Sequence, residues 1–439
     1  MIINFSIKNF SSIKEEVLLT FEADNLKELD EYYLIEPIKG LKLLKLGLIF
    51  GPNASGKTTI LKALDFIRNL VLNPLERKTE VFEFKPFLFD EKTVSENTFF
   101  SLEFIQNGVR YLHEIEFNKE AIVNEKLYFF NPNKALVYNR ATDLDKKLSA
   151  IKFGSKITIN KNHKGTLEAN TLWNNSVLGG YIKTNFDSHE LQEVISWYKE
   201  VLQPLITPKT DLYYSISKKI EEEIIDKKTV LEFLSKADFK ISDIVIKKEK
   251  FLLTREFFND IMANPLLSDN VVNNTKTGEP EMKKVYFQHT INNQGKNSNY
   301  TLSYEEESQG TQRYYQFSGL LELMLNNPII FSIDELESSL HPDLLEHFLL
   351  SFLTNTKTAQ IIATTHHREL LMKRDIFRND VIWFTEKKAD GGTDLYPLTD
   401  FDSSVVRNTS SIYNAYKIGK LGATPNLRDV YMNTTDEKK

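Results

Sequence analysis

The chain has 439 residues, 41% of them hydrophobic and 26% charged, with a net charge of −6. That is enough apolar material for two or three units with a buried core, and too little basic excess for a global nucleic-acid surface, so any such contact needs a local basic patch. With no cysteine, disulfides, thiolate zinc sites, iron–sulfur clusters and a cysteine nucleophile are excluded.

The opening MIINFSIKNF lacks a basic segment followed by an apolar one, so no secretory signal is expected. No apolar run approaches the ~18 residues of a membrane helix, and a cytoplasmic protein is the expectation. Residues 2–8 and 16–22 alternate like two strands and lead to a short apolar strand, Leu46 to Phe50. Gly51-Pro-Asn-Ala-Ser-Gly56-Lys57-Thr58 follows it and fits G-x-x-x-x-G-K-[ST]. Beyond the loop, Ile60, Leu64, Ile67 and Val71 form the apolar stripe of a helix.

Strand, glycine loop and helix are the context a phosphate-binding loop needs. Backbone N–H groups of Asn53, Ala54, Ser55, Gly56 and Thr59 and the helix N-terminus favour an anion, and the glycines let the chain wrap close to it. Lys57 reaches the β- and γ-phosphates, and the Thr58 hydroxyl serves Mg²⁺.

Residues 99–106 and 109–117 flank Asn107-Gly108, a hairpin signal, and 121–130 and 134–138 flank a second turn, so 80–140 is expected to be an antiparallel β layer. Residues 141–185 show no assignable pattern. Leu191, Val194, Ile195, Tyr198 and Leu202 make a helical stripe that stops at Pro204, and 214–237 holds two further helices, the first heavily charged. Residues 241–255 and 284–304 are β-rich, with a loop at 262–283 between them.

Near the C-terminal end, PIIFSIDE (328–335) is an apolar strand ending in two acids, which is costly unless a cation or a proton transfer uses them. Asp334 is the candidate Mg²⁺ ligand of a Walker B element, and Glu335 the residue that orients the attacking water. QIIATTHH (360–367) is another strand, whose His366 is placed to sense the γ-phosphate. Ser308 and Gly310, at the start of a helix, are candidates for a second anion site.

Taken in order, GPNASGKT, SQGT, IIFSIDE, SSLHP and TTHH resemble the Walker A, signature, Walker B, D-loop and switch-histidine elements of ABC/SMC-type ATPases. Over nearly the whole length the chain resembles the bacterial AAA-type ATP-binding proteins of the abortive-infection (AbiL/Rlo) kind. IEPIKGLKLLKLGLIFGPNASGKTTILKALDFIRNL, KADFKISDIVI, SQGTQRY, DELESSLHP and the tail YNAYKIGKLGATPNL carry that resemblance.

The resemblance implies an α/β fold, an ABC/SMC-like ATPase head with a mixed sheet and an antiparallel β layer. Residues 1–140 and 281–439 would form the two lobes and 141–280 a partly helical insertion. It implies ATP and Mg²⁺ as cofactors and a homodimer, or a higher oligomer of dimers, with ATP held between the Walker loops of one copy and Ser308 and Gly310 of the other. A nuclease or toxin effector encoded nearby and a role in defence against phage are implied in the same way. Nucleic acid is a possible partner and a membrane is not.

Two departures stand out. Ser11-Ser12 occupy the place where many SMC-like heads carry an arginine, leaving Lys14 as the candidate substitute, and Gln106 is the candidate for the family glutamine near Mg²⁺. Trp197, Tyr198 and Phe233 are candidates either for docking a partner or for the insertion's own core. The alternative function is an ATP-dependent DNA nuclease or DNA-repair ATPase of the OLD/RecF type. For that function Asp400-Phe401-Asp402 is the candidate metal motif, although it reads better as a surface turn.

Overall fold

The computed structural model describes residues 1–26, 28–250, 271–272, 281–401 and 412–424. The strands in chain order are β1 Ile2–Lys8, β2 Val17–Thr20, β3 Leu34–Ile38, β4 Leu41–Leu44, β5 Leu46–Phe50, β6 Thr98–Gln106, β7 Val109–Phe117, β8 Ile122–Phe130 and β9 Lys134–Asp143. They continue as β10 Leu148–Phe153, β11 Ile241–Lys250, β12 Val271–Val272, β13 Glu281–Asn293, β14 Lys296–Ser303, β15 Ile330–Ile333, β16 Gln360–Thr364, β17 Ile382–Lys387 and β18 Thr393–Pro397.

Two sheets position the site. One runs β15-β16-β5-β17-β18. Its first four strands are parallel and β18 returns antiparallel to β17, so the sheet is mixed. β5, β15 and β16 are buried at every position, the continuous apolar pattern of parallel strands covered on both faces. The other sheet is seven-stranded, in the order β10-β9-β8-β7-β6-β1-β2. All its pairings are antiparallel, so the architecture is α/β with an antiparallel layer. The β6–β7 turn takes Asn107 and Gly108 to φ 48° and 75°, the left-handed pair that Asn-Gly supplies at little cost.

An aromatic cluster locks the antiparallel layer to the helix that follows β5. Phe66, on helix Lys57–Leu72, lies 5.3 Å from Phe117, 5.6 Å from Phe10 and from Phe84, and 6.1 Å from Phe100, centroid to centroid. Such edge-to-face and offset contacts stabilise beyond their area burial. Asn9 fixes the adjoining loop. It is fully buried, its amide donates to the carbonyls of Thr93 and Glu96, and its carbonyl accepts from the Phe87 N–H.

The segment without an assignable pattern contains β10 and helices Lys161–Asn170 and Val177–Ile182. The first helix buries only Leu167, so it shows no apolar stripe, and it starts where the Asn160 side chain accepts from the His163 N–H. The 191–202 stripe is a helix, His189–Ser196, that widens into a π-turn at Trp197–Val201.

Trp197 and Tyr198 are fully buried, with Trp197 stacked 3.9 Å from Phe104 of β6. Both therefore serve the core and are not free to dock a partner. Trp197→Ala should cost about 3–5 kcal/mol of stability. Urea unfolding followed by far-UV circular dichroism reads the loss as a lowered midpoint.

The insertion does not stand apart from the nucleotide sheet. Leu202 and Ile206 bridge in parallel to Ile330 and Ile333. The Gln203 and Ile206 N–H groups donate to the Ile330 and Ser332 carbonyls, and the Asp334 N–H donates to the Ile206 carbonyl. On the other side, Arg68 donates to the Leu202 carbonyl and Asp65 accepts from the Leu205 N–H. Both residues belong to helix Lys57–Leu72, so residues 202–206 form a rung between the phosphate-loop helix and β15. The expected strand over 241–255 is described to Lys250, and the rest of it, with most of the expected loop at 262–283, lies outside the described residues.

Candidate functional site

Between the carboxyl ends of β5, β15 and β16 lies a cavity of about 410 Å³. Ser12, Asn53, Ala54, Ser55, Gly56, Lys57, Thr58, Thr59, Asp334, Glu335 and His366 line it. Residues from 51–59 and from 334–335, far apart in the chain, thus meet at the mouth of parallel strands, where open α/β sheets take ligands.

The loop is shaped for an anion. Gly56 adopts φ 111°, and a Cβ there would lie 2.1 Å from Thr393 Oγ1, so only glycine fits. Gly56 also caps helix Lys57–Leu72 without a side-chain bond, leaving the first N–H groups of the helix to a ligand. The Ser55 hydroxyl is 2.6 Å from that of Thr385 on β17, which fixes the back of the loop.

Lys57 folds over the loop, its Nζ donating to the carbonyls of Gly51 (2.9 Å) and Pro52 (3.0 Å). Burial pushes its pKa down to about 8, against the opposing pull of Asp334, Glu337 and Glu335. The ammonium is therefore present below pH 8 and lost above it. Affinity for a phosphate-bearing ligand should fall as pH rises through about 8, which calorimetric titration at pH 7 and pH 9 measures.

The Thr58 hydroxyl donates to Asp334 Oδ1 at 3.0 Å. The Thr364 hydroxyl donates to the same oxygen at 2.6 Å and accepts from the Glu335 N–H at 2.8 Å. Glu335 itself sits at φ 49°, an uncommon conformation for a residue with a Cβ and one found at functional turns. His366 stands on the cavity wall with its N–H donating to Glu337 Oε1. Desolvation, then the nearby Lys57, lowers its pKa against the pull of Glu337, Glu335 and Asp334, which favours the neutral ring.

One carboxylate and one hydroxyl in contact fit Mg²⁺, which takes few protein ligands and completes its octahedron with phosphate oxygens and water. Among the described residues no group of three or more His, Asp or Glu forms a metal cluster.

Ser308 and Gly310 are not part of the cavity lining. The Ser308 side chain accepts from the Thr311 N–H, capping helix Gln309–Asn326. Gly310 packs against the Ser339 carbonyl, which puts the signature-like and D-loop-like turns side by side. Lys14 is not the arginine substitute expected: it pairs with Asp90 and Asp390 and does not line the cavity. Gln106 does not line the cavity; it ends β6, next to Ile105, whose N–H donates to the Met1 carbonyl.

Sequence reasoning missed Thr364, Ser12, Thr393 and the 202–206 rung. Thr364 closes an apolar strand two residues before His366, a position as informative as the acids after β15. Of Asp400-Phe401-Asp402, Asp402 lies outside the described residues, and Asp400 ends a short turn, Leu398–Asp400.

Several solved structures are similar to this chain. The SMC head domain from Thermotoga maritima is 14% identical, with a TM-score of 0.40 over 90% of this chain and 98% of that one. An Smc head bound to the C-winged helix domain of ScpA is 12% identical, with a TM-score of 0.40 over 90% and 97%. An Smc head with an extended coiled coil, bound to the C-terminal domain of ScpA from Pyrococcus furiosus, is 12% identical, with a TM-score of 0.36 over 96% and 98%. No curated protein sequence matches the chain. A family model described as "AAA domain, putative AbiEii toxin, Type IV TA system" matches residues 48–372. That match spans well over half of the chain and both halves of the cavity, and the chain belongs to this AAA-domain family, whose members carry an ATPase-type domain.

Proposed function

We propose that the protein is a Mg²⁺-dependent ATPase that dimerises around ATP and acts as a nucleotide-driven switch on a partner effector. The contact between Thr58 and Asp334 carries the reading, because it joins the phosphate loop to the acidic strand end where a metal–phosphate pair belongs. On this reading the N–H groups of residues 53–59 hold the phosphates. Lys57 leaves the loop carbonyls for the β- and γ-phosphates, and Thr58 and Asp334 hold Mg²⁺. Held there, Mg²⁺ would supply charge neutralisation for the phosphates.

Glu335 orients and polarises the attacking water, and neutral His366 hydrogen-bonds at the γ-phosphate side. Thr364 is a positioning residue. It binds the Asp334 carboxylate and the Glu335 backbone at once, so metal ligand and water-activating residue move together. Ser308 and Gly310 of a second copy complete the pocket, which makes the closed dimer the active form.

The family's description attaches the words putative AbiEii toxin and Type IV TA system to the AAA domain itself; the separate effector is carried by the abortive-infection resemblance alone. The effector is a nuclease or other toxin, and the setting is defence against phage. The test is ATP hydrolysis by the purified protein with and without Mg²⁺, alongside incubation of the protein alone with DNA and Mn²⁺. Mg²⁺-dependent phosphate release that Lys57→Ala abolishes supports the proposal. DNA cleavage that survives Lys57→Ala contradicts it.

A further inference from the structure

Ser12 lines the cavity although it belongs to none of the nucleotide motifs. A tight turn presents it: Phe10 and Ile13 exchange both backbone hydrogen bonds, and the Ser11 N–H donates to the Lys85 carbonyl. The turn is held from a second side, because the Thr393 N–H donates to the Ser12 carbonyl. The Ser12 hydroxyl is then 3.0 Å from that of Thr59 and 2.8 Å from that of Thr393. Thr393 Oγ1 is also 2.8 Å from the Ser55 carbonyl of the phosphate loop. Gly56 lacks the Cβ that would sit 2.1 Å from Thr393 Oγ1 and 2.9 Å from Ser12 Oγ, so the cluster is seated directly on the loop.

Proton counting gives this row a direction. Each hydroxyl has one proton. Thr393 directs its proton at Ser12 Oγ and the Ser55 carbonyl, and Ser12 donates to Thr59, which leaves the Thr59 proton for the cavity. A phosphoryl group carries only acceptors, so on binding the Ser12 proton turns from Thr59 to the ligand while Thr393 still donates to Ser12. Two hydroxyls 3.0 Å apart match two oxygens of one phosphoryl group.

We propose that Ser12 is a phosphate-binding hydroxyl of this site, positioned by Thr393. With Thr59 it takes the phosphoryl group at the end away from Lys57, the one that nucleoside di- and triphosphates share. The inference rests on the nucleotide reading above.

The experiment is calorimetric titration of the full chain with ADP·Mg²⁺ and with a non-hydrolysable ATP analogue. Ser12→Ala should raise both dissociation constants by the same factor, about tenfold, the worth of one hydrogen bond to a charged group. Ser12→Thr should restore binding. Thr393→Val should raise both constants by a smaller factor. The double variant should weaken binding by less than the product of the two single factors, since part of the effect of Thr393 runs through Ser12. Thr393→Val gives the same readout should Ser12→Ala not fold.

Unchanged binding by Ser12→Ala, weakening for the triphosphate analogue alone, or factors that multiply in the double variant would overturn the assignment. Wild-type protein that binds neither nucleotide would overturn the nucleotide reading and this inference with it. Normal wild-type binding with an unaffected Ser12→Ala overturns this inference alone.

Discussion

Glu335→Gln should lower ATP turnover by about 10²–10³-fold, the scale of a lost general base, with ATP·Mg²⁺ binding retained. The change keeps size and hydrogen-bonding reach but removes the charge that polarises water. Nothing on the cavity wall replaces it cleanly. Asp334 is already engaged by Thr58 and Thr364, and His366 is bound through its backbone to Glu337. The backbone N–H of Glu335, which Thr364 holds, is untouched, so the side chain at position 335 stays in place. Single-turnover hydrolysis separates the two effects, and an unchanged rate would remove Glu335 from the mechanism.

Asp334→Asn should lower turnover by a comparable factor, about 10²-fold or more, the several kcal/mol that a metal contributes to charge stabilisation. It also weakens the dependence on Mg²⁺ concentration. A neutral amide keeps a hydrogen bond for the Thr58 hydroxyl but is a poor ligand for a hard cation. The wild-type carboxylate accepts two hydroxyl protons on one oxygen, leaving its other oxygen for metal or water. Titrating activity with Mg²⁺ for both proteins reads the shift. A variant with wild-type Mg²⁺ dependence would place the metal elsewhere. Thr364→Val tests the support beneath both acids and should cost less, because it loosens the geometry without deleting a ligand.

Much of this site is legible in the amino-acid sequence. The loop 51–58, the acidic strand end 334–335 and the histidine at 366 each announce themselves by chemistry that a buried strand terminus otherwise avoids. The Asn-Gly hairpin and the stripe after Lys57 are legible because turn and helix chemistry are local.

The features that sequence does not reveal are tertiary. Lys14 has the right charge in the right stretch, yet Asp90 and Asp390, from two distant loops, take it. Ser12 carries no signal of its own until the fold sets it against Thr59 and Thr393. The rung 202–206 reads as the frayed end of a helix stopped by proline. Its partners, Ile330, Ser332 and Asp334 on one side and Asp65 and Arg68 on the other, lie more than a hundred residues away. That rung ties residues 202–206 to the backbone of Asp334, whose N–H donates to the Ile206 carbonyl.

The molar mass of Glu335→Gln protein in solution, with and without ATP·Mg²⁺, bears most directly on the idea that two copies share one pocket. Light scattering behind size exclusion should give twice the chain mass with ATP·Mg²⁺, and a return to the nucleotide-free mass when Ser308 is replaced by Arg. A nucleotide-loaded protein that stays monomeric, or a dimer indifferent to Ser308→Arg, would contradict it.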